Sequence, residues 1–304
     1  MPFSSHTPDD LLILSVADSL ELEVQAQRQE HPLPYWNTPK GQRESILRPL
    51  THARDFLLMA GRNDLLDTWL HERFQRTVRS SIPWLDPSAS ADPSRRTYAE
   101  ATLSTWREFL GVPTWIQELT HYQGGSTVLQ ELFNTPGGLD WGLQALRDGA
   151  KITSPAALAR AIHEGREDAV QALLAAGIDP NGPEHIQACY QLPLQMSVRK
   201  TVPDHDAIQR RIRETLVKAG ADVNRLNGVQ SCLFQAAIRQ DVPEVRWLLE
   251  QGADPFVRWT HQGQTFEIVP TLQAQGIPAE VVDLIQTAQK GPAPMKTSPR
   301  RRSP

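Results

Sequence analysis

Two histidines in this sequence come nearest to a known catalytic pattern. His71 and His163 are each followed by glutamate, as in the His-Glu-x-x-His helix of zinc proteases, where two histidines one turn apart bind the metal. The second histidine is missing in both segments, because Gln75 and Glu167 stand four residues further on. Neither segment therefore predicts a zinc site.

The other reactive side chains lack the partners that catalysis requires. Cys189 and Cys232 have no histidine close to them in sequence, so we expect each to be a small buried apolar side chain. His52 and His71 could meet across a helical pair, and an ordinary surface or core contact is the expected meaning of that pair. The segment Asp204-His205-Asp206 follows a proline and is interpreted as a solvated loop or the start of a helix.

Motifs that bind phosphate or dinucleotides are also missing. The sequence has no Gly-x-x-x-x-Gly-Lys-Ser/Thr loop, no Gly-x-Gly-x-x-Gly segment and no Gly-x-Ser-x-Gly nucleophile turn. Pairs of carboxylates such as Asp64 and Asp67 have a spacing typical of solvated helix faces. We therefore predict a protein that is not an enzyme, with no catalytic residue, no cofactor and no bound metal.

Composition limits the class of protein further. The chain has 304 residues, which favours about two domains, and 39% hydrophobic with 22% charged residues excludes wholesale disorder. Two cysteines are too few for a disulfide framework, and no apolar run approaches the roughly 18 residues of a membrane span. The first basic residue is Arg28, so the N-terminal sequence predicts neither a secretory signal nor a mitochondrial presequence. The expected location is cytoplasmic.

Charge separates the last residues from the rest of the chain. Residues 291–304 carry four basic and no acidic side chains, whereas the formal net charge of the whole chain is −4. The body is therefore acidic and predicts no broad nucleic-acid surface. Residues 291–304 are predicted to be a disordered basic tail, through which any binding to nucleic acid would be weak.

Three segments in the second half of the chain share one pattern, in which an apolar helical stripe ends at a glycine with an aspartate two residues later. The glycines are Gly177, Gly220 and Gly252, and a weaker copy ends at Gly149. Their spacings are 28, 43 and 32 residues, so residues 201–209 are interpreted as an insertion. Glycine is expected to take the left-handed conformation that ends a helix, and the aspartate to lie in the turn that follows.

This pattern resembles the ankyrin repeat, which has a period of about 33 residues. The resemblance implies an all-α, ankyrin-like helical solenoid of about four to five divergent repeats over residues 124–290, in which stacked helical pairs share one core. The Thr-Pro-Leu-His opening of the family is degraded here, for example to Leu192-Pro193-Leu194-Gln195. We therefore expect an array that is less regular than that of the family.

Residues 1–123 are predicted to form an N-terminal helical domain without a convincing long-range repeat. Residues 46–78 read as an antiparallel helical hairpin, which faintly resembles a further decayed ankyrin unit. Residues 80–96 are rich in proline and serine and are predicted to be an exposed loop. The tryptophans on the apolar helix faces, expected to pack in the core, are Trp69, Trp106 and Trp115.

The resemblance to ankyrin repeats implies a protein-protein interaction module, which binds a partner protein through the concave face and the turn tips of the array. The partner is unidentified, and we expect the chain itself to be a monomer. The side chains expected to contact the partner are Arg160, His163, His185, Tyr190, Arg199, Arg225, Asn227, Arg239, Arg258, Trp259 and His261. Trp259 with Arg258 is predicted to be the energetic centre, because exposed tryptophan and arginine are common hot-spot residues.

Other interpretations of these residues stay open. Trp259 would instead be a core residue if it closes the last repeat. The chain as a whole could be a microbial effector-type enzyme, with a catalytic domain in residues 1–123 and an ankyrin targeting region. It could also be an immunity or inhibitor protein that neutralises one cognate toxin.

Overall fold

A computed structural model describes residues 7–30, 38–88, 92–123, 125–152, 154–182, 205–225, 231–261 and 264–290. The structure is mostly helical, with 71% of residues in helices, as the sequence predicts. Two short antiparallel strand pairs accompany the helices in the described part. None of the helices described is long and apolar enough to span a bilayer. The basic tail at 291–304 lies outside the described residues.

The chain divides into two compact units, residues 1–152 and 153–304. The first unit contains α1 (Pro8–Glu30), α2 (Pro39–Met59), α3 (Asn63–Ser81), a 3-10 helix (Ile82–Leu85), α4 (Pro93–Leu110), α5 (Val112–Thr120), β1 (Tyr122–Gln123), β2 (Ser126–Thr127), α6 (Val128–Asn134) and α7 (Leu139–Arg147). This division differs from the expected boundary after residue 123. The pair α6–α7 belongs to the first unit because α6 packs on α3 and α5.

An aromatic cluster forms the centre of the first unit. The ring of Phe74 meets the rings of Trp106 and Trp115 edge-on, with centroid distances of 5.5 and 5.6 Å. Trp69 is buried as well, and its indole N–H donates to Asp18 over 3.1 Å. The prediction that the three tryptophans on these helix faces are core residues is therefore confirmed.

Both ends of the segment at 80–96 are helical, which its proline and serine content does not predict. Ile82 and Leu85 are buried on the 3-10 helix, and α4 already begins at Pro93 behind the N-cap residue Asp92. The prediction of an exposed loop throughout 80–96 is therefore wrong at both ends. Ile82 and Leu85 are apolar residues at three-residue spacing, and they bury the start of the segment despite the neighbouring prolines.

Asp148 links the end of α7 to α4. Its carboxylate accepts two bonds from the Arg107 guanidinium, over 2.7 and 2.8 Å, and one from Gln144 over 3.0 Å. These hydrogen bonds, mainly those from Arg107, hold the pKa of the Asp148 carboxyl below its usual value. A carboxyl whose pKa is lower in the folded state stabilises the fold above its unfolded pKa, and this contribution is lost as the pH falls through the folded pKa.

We therefore expect the substitution Asp148→Asn to lower the free energy of unfolding at pH 7 by about 1 kcal/mol, since a charge-assisted bond to a partly solvated arginine is lost. The effect should shrink as the pH falls from about 4, the unfolded pKa of aspartate, through the lower native pKa, where the native carboxyl also loses its charge. Thermal melts of wild type and variant at pH 7 and at acidic pH measure the difference. An equal difference at both pH values would contradict this role for the carboxylate.

The second unit repeats one helical pair with variations. Its elements in the described residues are α8 (Pro155–His163), α9 (Glu167–Ala175), α10 (His205–Lys218), α11 (Cys232–Ile238), α12 (Val242–Glu250), β3 (Arg258–His261), β4 (Gln264–Glu267), α13 (Ile268–Ala274) and α14 (Ala279–Lys290). The helices α8 and α9 pack against each other, as do α11 and α12, and α13 and α14. Within each pair we call the earlier member the first helix and the later member the second helix.

The predicted glycine caps are confirmed. Gly177, Gly220 and Gly252 follow α9, α10 and α12 with φ angles of 94°, 98° and 88°. After each glycine the next amide donates back into the helix, as Ala221 does to the Leu216 carbonyl over 2.9 Å. This left-handed turn is one that glycine adopts without the strain of a Cβ atom, and it ends all three helices in the same way.

Asparagine side chains connect these turns to one another. Asn181 donates to the Gly220 carbonyl over 2.9 Å and accepts from the Asp222 amide over 2.7 Å. Asn224 makes the same two bonds, over the same distances, to Gly252 and Asp254. We call these four bonds the asparagine ladder. Each asparagine thus binds the equivalent turn of the next copy, although the copies are far apart in sequence.

We expect the substitution Asn224→Ala to lower the free energy of unfolding by about 1–2 kcal/mol, because two hydrogen bonds are lost at a solvent-exposed site. Denaturant unfolding measures the change. The Asp254 amide, which loses its acceptor, should also exchange its hydrogen faster with solvent. The substitution Gln273→Ala on the exposed face of α13 is the control, with little expected effect. Unchanged exchange at Asp254 would show that the ladder does not hold the copies together.

Candidate partner-binding surface

Seven of the eleven predicted contact residues lie in the described part of the chain, all of them in the second unit. The other four, His185, Tyr190, Arg199 and Asn227, lie outside the described residues. The seven described residues lie on α8, on α11, in the turn after α10 and in the β3–β4 hairpin.

Two basic residues occupy the last turn of α8. Arg160 and His163 are both half-buried, and the Arg160 Nε lies 3.7 Å from a carboxylate oxygen of Glu164. Basic groups in the last turn of a helix interact favourably with the negative end of its dipole. The structure thus places both residues on a first helix, as the sequence predicts.

Two further arginines are exposed where helices or turns end. Arg239 is the C-cap residue of α11, and Arg225 follows the turn after α10, where its amide donates to the Asp222 carbonyl over 3.3 Å. Arg225 is expected at a turn tip and Arg239 on a first helix, and the structure places one after a turn and the other at the end of α11.

The β3–β4 hairpin separates the two residues that were predicted to act together. Arg258 is exposed and faces Glu267 on the opposite strand, with 2.8 Å between a guanidinium nitrogen and a carboxylate oxygen. Trp259 is only 8% exposed, its ring lies 4.7 Å from that of Phe234 on α11, and it stacks at 6.0 Å on Phe266. Neighbouring residues of a strand point to opposite faces, and here Arg258 lies on the exposed face while Trp259 lies on the buried one.

The prediction that Trp259 is an exposed hot-spot residue is therefore wrong. Its indole packs in the core, where it ties the hairpin to α11. The alternating pattern of Arg258, Trp259 and Thr260 was the signal in the sequence that could have shown this. His261, at the end of β3, pairs in register with Gln264 on β4.

Charge differs between the two kinds of helix in the second unit. The first helices α8, α11 and α13 contain no aspartate or glutamate, and the basic residues Arg160, His163 and Arg239 lie at the ends of α8 and α11. The second helices begin with acidic residues, which are Glu167 and Asp168 in α9, Glu244 in α12 and Glu280 in α14. The charged side chains within these first helices are therefore basic ones, while the capping residues Glu164 and Glu267 lie at ion-pair distance from Arg160 and Arg258. Arginine donors of this kind fit carboxylate or carbonyl oxygens of a partner.

The first unit contains a polar cluster of side chains that could take part in acid-base chemistry. The Nδ1 atom of His71 lies 2.7 Å from a carboxylate oxygen of Glu118, and its ring meets that of His121 at 4.4 Å. His71 thus contacts these two residues and not His52, which is exposed. A carboxylate that orients one histidine nitrogen leaves the other available to accept a proton.

The same cluster also holds structural elements together. Gln75 donates to the Glu118 backbone carbonyl over 3.0 Å, and Arg79 donates to Glu131 and to the Ser126 carbonyl. These bonds join α3 to α5, to the β1–β2 pair and to α6. No group of three histidine, cysteine or acidic side chains in the described ranges is arranged to hold a metal ion.

No protein-family model matches the chain, and the comparison with curated proteins gives no match.

Proposed function

We propose that this protein is a non-enzymatic interaction module, which binds a partner protein through an ankyrin-like array in its second unit. The asparagine ladder is the observation that carries the proposal. In a solenoid each repeat is stabilised by its neighbours, and identical contacts between successive copies give such an array its regular geometry. A cytoplasmic location and a monomeric state remain predictions.

The binding surface that we propose comprises the first-helix ends and turn tips of the array. Arg160, Arg225, Arg239 and Arg258 provide charged donors on this surface and His163 provides an imidazole, whereas Trp259 belongs to the core. The contrast between first helices without carboxylates and second helices that begin with them favours a partner with an acidic surface. Such complementarity steers association and excludes partners of the wrong charge.

Affinity capture with the full chain tests the proposal. A variant with Arg225→Glu and Arg239→Glu reverses two exposed charges on the proposed surface. The matched control, Lys218→Glu with Arg246→Glu, reverses two exposed charges elsewhere in the same unit. We expect a protein that is retained by the wild type and the control, and lost by the surface variant. Equal retention by all three chains, or equal loss by both variants, would contradict the proposed surface.

A catalytic first unit is the second candidate function, and the contact between His71 and Glu118 is the observation that favours it. The captured partner would then be a substrate that carries a chemical change after incubation with the full chain. Intact-mass measurement of the partner detects such a change, and the substitution His71→Asn should abolish it if the imidazole is the acid-base group. An unchanged mass would leave binding alone as the function. An inhibitor of one toxin is a special case of binding, with the toxin as the captured protein.

A further inference from the structure

Asn181, the first asparagine of the ladder, is followed directly by Gly182. Asparagine side chains are thermolabile, because the backbone nitrogen of the next residue can attack the side-chain amide. Glycine hinders this attack least, since it has no Cβ atom and leaves its backbone free to turn. Asn224, which makes the equivalent bonds in the next copy, precedes the larger Arg225. Of the two ladder residues, Asn181 therefore has the sequence of a deamidation site.

Deamidation at this position needs water as its co-reactant. The Gly182 backbone nitrogen gives up its proton to water and forms a bond to the Cγ atom of Asn181. The Cγ–Nδ2 bond then breaks, and the nitrogen takes up a proton and leaves as ammonia. A second water molecule opens the resulting cyclic imide at either of its two carbonyl groups, which gives aspartate or isoaspartate in place of the asparagine.

The folded structure engages both reacting groups in other bonds. The Asn181 side-chain amide donates to the Gly220 carbonyl over 2.9 Å and accepts from the Asp222 amide over 2.7 Å. The Gly182 amide donates to the Asp179 carbonyl over 3.1 Å, so a hydrogen bond holds the proton that the attacking nitrogen must lose. Both sets of bonds must break before the Gly182 nitrogen can attack Cγ.

We propose that Asn181 is a deamidation site which the asparagine ladder protects, and that its conversion loosens the junction between the turns after α9 and α10. A carboxylate on residue 181 has no hydrogen to donate to the Gly220 carbonyl, and its charge repels that oxygen. The same turns already hold two carboxylates, since Asp179 accepts the Asn181 amide and Asp222 accepts the Asn224 amide. The new charge therefore adds repulsion where a ladder bond is lost. This proposal does not depend on what the array binds.

Peptide mapping of the full chain tests the proposal. The chain is incubated at mildly alkaline pH, once folded and once in guanidinium chloride, and mass spectrometry then measures the conversion of amide to carboxyl. Trypsin cleaves between Asn181, Asn224 and Asn227, so three separate peptides report on these residues. Asn227 is a reference for the chemistry, because it is also followed by glycine.

In denaturant we expect Asn181 and Asn227 to convert at equal rates, and Asn224 to convert far more slowly. In the folded chain Asn181 should convert about tenfold more slowly than in denaturant, because the loss of two hydrogen bonds corresponds to about a tenfold change in an equilibrium constant. Conversion of Asn181 as slow as that of Asn224 in denaturant would overturn the site. Equal rates for Asn181 in the folded and the unfolded chain would overturn its protection.

Two matched substitutions separate protection by the ladder from protection by folding in general. Gly220 and Gly252 have φ angles of 98° and 88°, and a Cβ atom added at either would meet nothing within 4 Å. Gly220→Ala strains the turn that binds Asn181, so we expect Asn181 to convert about threefold faster in the folded variant. Gly252→Ala strains the turn that binds Asn224 and should leave the rate at Asn181 unchanged. Conversion of Asn181 no faster in Gly220→Ala than in Gly252→Ala would show that the ladder does not protect it.

The structural consequence is tested with a variant that carries one product of the reaction. Asn181→Asp should unfold at a lower denaturant concentration than the wild type, because it loses the bond to the Gly220 carbonyl. The control is Gln273→Glu, which adds the same charge on the exposed face of α13 and should unfold as the wild type does. An Asn181→Asp chain as stable as the control would overturn the loosening of the junction.

Discussion

Replacing Glu244 with alanine is expected to lower the free energy of unfolding by about 3–5 kcal/mol, because it leaves a buried cation without its counterion. The Glu244 carboxylate contacts the Nε and Nη2 atoms of Arg213, over 2.8 and 3.0 Å, and joins α12 to α10. The two side chains are 1% and 5% exposed, so water cannot replace the lost contact. Denaturant unfolding of the full chain measures the change.

Two control variants separate this effect from a general loss of charge. The double variant Arg213→Met with Glu244→Leu removes both charges, and we expect it to regain most of the lost stability. The substitution Arg211→Ala breaks the exposed pair with Glu167, which has a comparable distance of 2.9 Å, and should cost less than about 1 kcal/mol. A Glu244→Ala variant that unfolds at the same denaturant concentration as the Arg211→Ala variant would contradict the buried ion pair.

The substitution Trp259→Ala is expected to lower the free energy of unfolding by about 3–5 kcal/mol, since it removes a large buried ring from the contact with Phe234 and Phe266. Thermal and denaturant melts measure the loss. The neighbouring substitution Arg258→Ala serves as the control and should cost less than about 1 kcal/mol, because it breaks only an exposed ion pair with Glu267.

The opposite pattern would place Trp259 on the binding surface. If Trp259→Ala leaves the melting midpoint unchanged and abolishes partner capture, the indole is a contact residue and the packing against α11 is wrong. The substitution Trp259→Phe keeps an apolar ring in the site, so we expect it to retain more stability than the alanine variant.

Local sequence patterns predict the helices and their ends in this protein. The glycine at the end of an apolar stripe predicts the left-handed cap after α9, α10 and α12, because glycine lacks the Cβ atom that opposes this conformation. The apolar faces likewise predict the buried tryptophans of the first unit. Both features depend on residues that are neighbours along the chain.

Contacts between distant residues could not be predicted in the same way. Arg213 and Glu244 are 31 residues apart, and each resembles an ordinary surface charge of an amphipathic helix. Asn181 ends a turn motif, and its bonds to Gly220 and Asp222 require the packing of successive copies. The position of such partners depends on tertiary structure, which periodicity within one helix does not determine.

At the candidate site, too, the sequence predicts positions within a helix but not those that depend on tertiary structure. The positions of Arg160, His163 and Arg239 follow from helix register, whereas Trp259 was assigned to the surface because the strand pair at 258–267 was not expected. In a helix or a loop, Trp259 and Arg258 could share one exposed face. In a strand their side chains must point in opposite directions.

The most direct test of the account is hydrogen-deuterium exchange of the full chain, with and without the protein that affinity capture identifies. We expect the partner to slow amide exchange in α8, in α11 and in the β3–β4 hairpin, and to leave α9 and α12 nearly unchanged. Protection confined to α9 and α12, or the absence of any protection in the second unit, would contradict binding through the first-helix side of the array.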